Sequence, residues 1–91
     1  MGRASKWKPE RLAEKLLQIR LALGLSQNEM RRHLRLPDEF LQGSISGYEL
    51  GTRTPPLPVV LLYAKAAGVC SDVLLDDKLD LPAKLPAKPK H

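Results

Sequence analysis

The side chains best suited to chemistry on a polyanion lie within residues 26–53. Arg31, Arg35 and Arg53 each carry a planar guanidinium, whose forked N–H groups match phosphate oxygens or the O6/N7 edge of guanine. Gln42 carries a carboxamide, the fork that matches adenine N6/N7. Other chemistries lack their parts. No nucleophile–base pair, paired carboxylates or phosphate-cradling loop is present, so the chain is not read as an enzyme. The single cysteine, Cys70, allows no internal disulfide and no CxxC pair. His33 and His91 are too few and too far apart for a zinc site, and Asp76–Asp77 reads as a helix terminus rather than a metal pair. No cofactor is expected.

Those side chains need rigid elements beneath them. Ser26 is placed to N-cap a helix, and Glu29 three residues on can reach back to the Ser26 N–H, which completes a capping box. Leu25 and Met30 flank the cap as a hydrophobic staple. Further on, Ile45 and Tyr48 recur at i, i+3 and Gly51 stands at a C′ position, so a second short helix is expected over about residues 42–50. Two short helices with polar outer faces and an interruption between them read as a helix-turn-helix. That device sets its second helix in the DNA major groove.

Composition agrees with that reading. Ninety-one residues allow one domain, which buries roughly 60–65% of its unfolded surface. Leu and Ala dominate and aromatics make up 4%, a balance that favours packed helices over sheets. A net charge of +5 favours a polyanionic partner. No stretch approaches the ~20 apolar residues of a membrane span, and residues 1–10 lack the apolar core of a secretory signal.

In chain order, residues 1–8 form a basic arm with Arg3, Lys6 and Lys8. Pro9 at N1 then opens a helix whose Leu12, Leu16, Ile19 and Leu23 make one apolar stripe, closed by Gly24. The capped helix runs from Gln27 to His33 or Leu34 and is stopped by Pro37; an extra turn over residues 38–41 packs Phe40 and Leu41 inward. A proline-rich loop precedes a helix over residues 58–67 that is apolar nearly all round, hence central and buried. A last short helix spans residues 71–75. The folded domain is expected to cover residues 9–77, and the Pro/Lys-rich tail, residues 78–91 with its repeated LPAK, is expected to be flexible and solvated.

Three blocks now stand in one order: IRLALGLSQNEM, SISGYELGTRTPP and LLYAKAAGV. In these the chain resembles the Cro/CI-type helix-turn-helix domains, the lambda-repressor-like or xenobiotic-response-element family, over about residues 10–76. The resemblance implies an all-α, compact bundle of about five short helices. It implies a structural salt bridge between Arg20 and Glu49, which holds the second helix of the motif against the first helix of the chain. It puts Gln27 on a phosphate at a helix N-terminus. It sets Gln42, Gly43 and Gly47 toward the bases, with Ser44 and Ser46 beside them, and leaves Arg53 for a phosphate or the minor groove. Two departures stand out. Arg31 and Arg35 occupy places where the family has Ala and Gly, and the connection before Ile45 is several residues longer than usual.

The function so implied is sequence-specific DNA binding by a transcriptional regulator, expected to be a repressor. It would act as a homodimer on double-stranded DNA in the cytoplasm, associated with the nucleoid, without a membrane or a small-molecule ligand. Its dimer is expected to use the last helix or the tail. The alternative is a protein–protein adaptor or antitoxin-like module on the same fold, which the side-chain-free Gly43 and Gly47 keep open.

Overall fold

The computed structural model describes residues 9–36 and 42–86. They form five helices, α1 (Leu12–Leu23), α2 (Gln27–His33), α3 (Gln42–Leu50), α4 (Leu57–Ala67) and α5 (Ser71–Leu75). No strand occurs among the described residues. The all-α, compact bundle expected from the sequence is therefore the fold observed. The basic arm, the turn at residues 38–41 and the last lysines, Lys88 and Lys90, lie outside the described residues.

α1 is the element around which the others pack: α3, α4 and α5 all lie against it, while α2 packs on α3. Its predicted stripe, Leu12, Leu16, Ile19 and Leu23, is buried in full, together with Met30, Ile45, Tyr48, Val59, Val60, Tyr63, Ala64, Ala67 and Leu74. The start of α1 differs from expectation. Pro9 is outside the helix, because Glu10 and Arg11 form a turn whose N–H groups donate to the two carboxylate oxygens of Asp77, at 2.9 and 3.0 Å. A distant carboxylate thus ties down the turn that leads into the helix and lies near its positive end. These hydrogen bonds from Arg11 and Glu10 hold the Asp77 carboxyl below its ordinary pKa.

α4 is not buried all round. It turns Val59, Val60, Tyr63, Ala64 and Ala67 inward and leaves Leu57 and Leu61 exposed, since a five-helix bundle has too few neighbours to surround one of its members. α2 also ends before Pro37. Leu34 caps it, Arg35 turns left-handed at φ 58°, and Leu36 N–H donates to Arg31 O while Arg35 N–H donates to Arg32 O. Those bonds define a Schellman stop, so the backbone at residue 35 ends the helix.

Lys15 was not singled out from the sequence. It lies on α1 between Leu12 and Ile19 and is fully buried. Its Nζ donates to three carbonyls at and beyond the C-terminal end of α5: Val73 O at 2.7 Å, Asp76 O at 3.0 Å and Leu79 O at 2.7 Å. All three ammonium donors are used, on carbonyls that carry the negative end of a short helix and its following turn. Desolvation pushes the Lys15 pKa below its ordinary value, with repulsion from Arg11 adding to it and the nearby carboxylates of Asp77, Asp80 and Asp76 opposing it.

The chain does not leave the bundle at Asp77, as the sequence reading had it. Arg11 reaches Asp77 O at 2.9 Å and Asp80 at 2.6 Å, and Leu81 and Leu85 pack on the core beside Gln18 and Ala22 of α1. The leucines of the LPAK repeat are partly buried against the core, and the prolines bring no N–H that burial would leave unpaired.

Lys15→Met keeps the apolar stem and removes the ammonium. With three carbonyls losing a charged donor, it should destabilise the fold by about 3 kcal/mol in urea unfolding. A change below about 1 kcal/mol would mean the ammonium adds nothing net.

Candidate nucleic-acid interface

The residues expected at a nucleic-acid interface lie on and around α2 and α3. The capping box forms as expected: Glu29 N–H donates to Ser26 Oγ at 3.1 Å and Ser26 N–H donates to Glu29 Oε1 at 2.8 Å. The backbone and side-chain bonds from Ser26 hold the Glu29 carboxyl below its ordinary pKa. Leu25 and Met30, the expected staple, are both in the core.

Arg20 and Glu49 form the pair that the resemblance implied. Arg20 Nε donates to Glu49 Oε2 at 2.7 Å and Nη2 to Oε1 at 3.1 Å, a bidentate fork. The side chains are only 14% and 4% exposed. Two further bonds were not foreseen. Arg20 Nη1 donates to Leu25 O at 2.9 Å, and Gln27 Nε2 donates to Glu49 Oε1 at 3.1 Å. One carboxylate thus collects α1, the first residue of α2 and α3, while the same arginine holds the loop between α1 and α2. Beside them the Tyr63 hydroxyl is buried with no hydrogen-bond partner among the described residues. Burial first, and the charge of Glu49 second, push its pKa up, so it stays a neutral phenol.

The predicted contact residues distribute unevenly around this frame. Gln27, expected on a phosphate, is half-buried and donates one amide N–H inward, which leaves its second N–H and the open N–H groups of the first turn of α2 for an anion. Arg31 is half-buried on α2, and Arg35 is exposed in the turn after it. An L-residue in the left-handed region costs about 1 kcal/mol or more, and the α1 and α4 stops use Gly24 and Gly68 instead. Gln42 opens α3, but its side chain lies outside what is described. Ser44 and Ser46 are half-buried.

Gly47 departs from its expected part. The resemblance sets it toward the bases, yet it is buried, with the stem of Arg53 lying over it. An added Cβ would come within 2.8 Å of Arg53 Cδ and 2.9 Å of Cγ. Arg53 itself is exposed. A glycine inside a helix, followed by Gly51 at the stop and an arginine two residues on, was the available sequence signal for this cover.

Among the described residues no group of His, Cys, Asp and Glu is placed to hold a metal ion, and no helix is long and apolar enough to cross a membrane. Comparison with family models, with curated proteins and with solved structures finds no match.

Glu49→Ala leaves the largely buried Arg20 uncompensated and should cost about 3 kcal/mol. Urea unfolding of Arg20→Ala, Glu49→Ala and the double variant should then show a coupling well above the ~1 kcal/mol of an exposed pair. Strictly additive costs would mean that the fork contributes no interaction energy.

Proposed function

We propose that the chain is a sequence-specific DNA-binding transcriptional regulator of the Cro/CI type, a repressor that occupies its operator as a homodimer. Helix α2 crosses the phosphate backbone and α3 enters the major groove. The observation that carries this reading is the buried Arg20–Glu49–Gln27 cluster, which fixes the angle between two short helices flanked by Arg31, Arg35 and Arg53. Rigid presentation of one helix is what groove reading demands, because base-edge bonds form only in fixed register. Arg35 adds support. A side chain retained where glycine would fit the backbone better is expected at a functional position.

An adaptor function draws on a different observation. Leu50 is 74% exposed and Leu57 is 56% exposed, while the described polar side chains on the outer side of α3 are only the short Ser44 and Ser46. Exposed leucines near a helix end suit a protein partner as well as a second copy of the chain.

A mobility-shift titration against the DNA flanking the chain's own coding region separates the two. If ~4–6 phosphates are neutralised per monomer, log K should fall against log salt with a slope of roughly −4 to −5. A flat dependence would remove DNA as the main partner. Arg35→Gly should melt higher, by up to about 1 kcal/mol of added stability, yet bind DNA more weakly with a slope shallower by about one. Unchanged binding by this variant would place Arg35 outside the interface.

A further inference from the structure

We propose that Arg53, in the loop after α3, is a base-reading side chain seated on that helix by Gly47, and that the base it reads is guanine in the major groove. The proposal rests on the DNA-binding reading above and replaces the phosphate or minor-groove part expected for Arg53 from the sequence.

The geometry begins with the helix. A residue advances roughly 100° around an α-helix, so Gly47, two places after the buried Ile45, stands on the side away from the core. A residue there should be open to solvent. Gly47 is buried because the stem of Arg53 lies on it, with Cδ, Cγ and Cβ at 2.8, 2.9 and 3.3 Å from where a Cβ at residue 47 would be. The arginine stem therefore fills the space of the missing side chain. The backbone holds it there. Gly51 reverses the chain at φ 82°, and the N–H groups of Thr52 and Arg53 both donate to Gly47 O, at 3.0 and 3.2 Å. Arg53 is thus anchored over α3 from two sides, while the residue as a whole remains exposed.

This arrangement suits a base better than a phosphate. A phosphate accepts a cation from many directions, and a freely swinging side chain serves it well. A base edge requires a fork at one place and angle, and a stem held against a glycine loses less freedom when it binds. The other described side chains on the solvent side of α3 are Ser44, Ser46 and Leu50, none of which carries the fork that matches guanine O6 and N7. Gly47 then has a definite part as a positioning residue: any side chain there would displace the reader.

The test uses the full chain and duplexes selected by it from a random-sequence pool. Each selected half-site should contain a fixed guanine. Arg53→Ala should lose about 10- to 100-fold on selected duplex and little on random duplex. Arg53→Gln should select adenine at the same place, since a carboxamide matches that edge. Gly47→Ala should still melt cooperatively and close to the unaltered chain: rotation about χ1 takes the arginine Cγ and Cδ clear, and alanine's better fit to a helix offsets the few tenths of an ångström by which Arg53 Cβ, at 3.3 Å, must give. It should nonetheless lose the same discrimination, and a stable variant that has lost it excludes unfolding as the cause. If Arg53→Ala weakens selected and random duplex by one factor, Arg53 is a phosphate contact and the inference falls while the DNA-binding reading stands. If Gly47→Ala discriminates as the unaltered chain does, the seating by Gly47 is wrong. Retention of no duplex at all by the unaltered chain would overturn the DNA-binding reading, and this inference with it.

Discussion

A carboxylate at 4% exposure needs its charge matched and its lone pairs filled, and Glu49 meets both needs through residues from two other elements. Arg20 supplies the charge from α1 and Gln27 supplies a further donor from the start of α2. Removing any one partner would leave a charge or a polar group unmatched in the interior. The relative placement of α1, α2 and α3 therefore has little freedom. The apolar core alone would not impose this, because leucine and alanine faces tolerate sliding and rotation at small cost. An arrangement of the three helices that parted Glu49 from Arg20 would leave both charges unmatched, so the pair holds α3 in an orientation that keeps them together.

The opposite end of α1 is tied by the same physics with different groups. Lys15 donates to the turn after α5, and Arg11 and its neighbour Glu10 meet Asp77 and Asp80. α1 and the turn before it thus carry Arg11, Lys15 and Arg20: the first two reach the end of α5 and the segment after it, and the third reaches α3 and the loop before α2. A small domain with few aromatics has a modest hydrophobic reserve. Charge-assisted bonds join its first helix to the end of its last and the turn beyond, and Leu81 and Leu85 pack on the core after that turn.

Arg35 and Arg53 show how a surface can be specified through the backbone. The first sits in a left-handed stop that glycine would fill with less strain, and the second lies on a glycine that leaves room for it. In one case a side chain is kept at the expense of conformational energy. In the other a side chain is given up so that a neighbour may occupy its place. Arg53 thereby brings a cationic group over α3, the element whose own sequence carries Gly43 and Gly47, while Arg35 adds one at the end of α2.

Much of this was legible in the chain. The period of Leu12, Leu16, Ile19 and Leu23, the box of Ser26 and Glu29, and the stops at Gly24 and Gly68 are local, and local signals need only neighbouring residues to be read. The Arg20–Glu49 pair was available through family resemblance, since twenty-nine positions separate its members and no periodicity links them. What only the tertiary structure decided is of one kind. Lys15 among its carbonyls, Asp77 over the start of α1, Gln27 on Glu49 and Arg53 across Gly47 all depend on which backbone groups come close after folding. A charged residue on an amphipathic helix reads as solvated until an unpaired helix end arrives opposite it. The sequence determined which segments became helices and which faces they buried, because those follow from spacing and turn chemistry. It left open which polar groups would meet, because that is settled by the mutual placement of helices and not by any one of them.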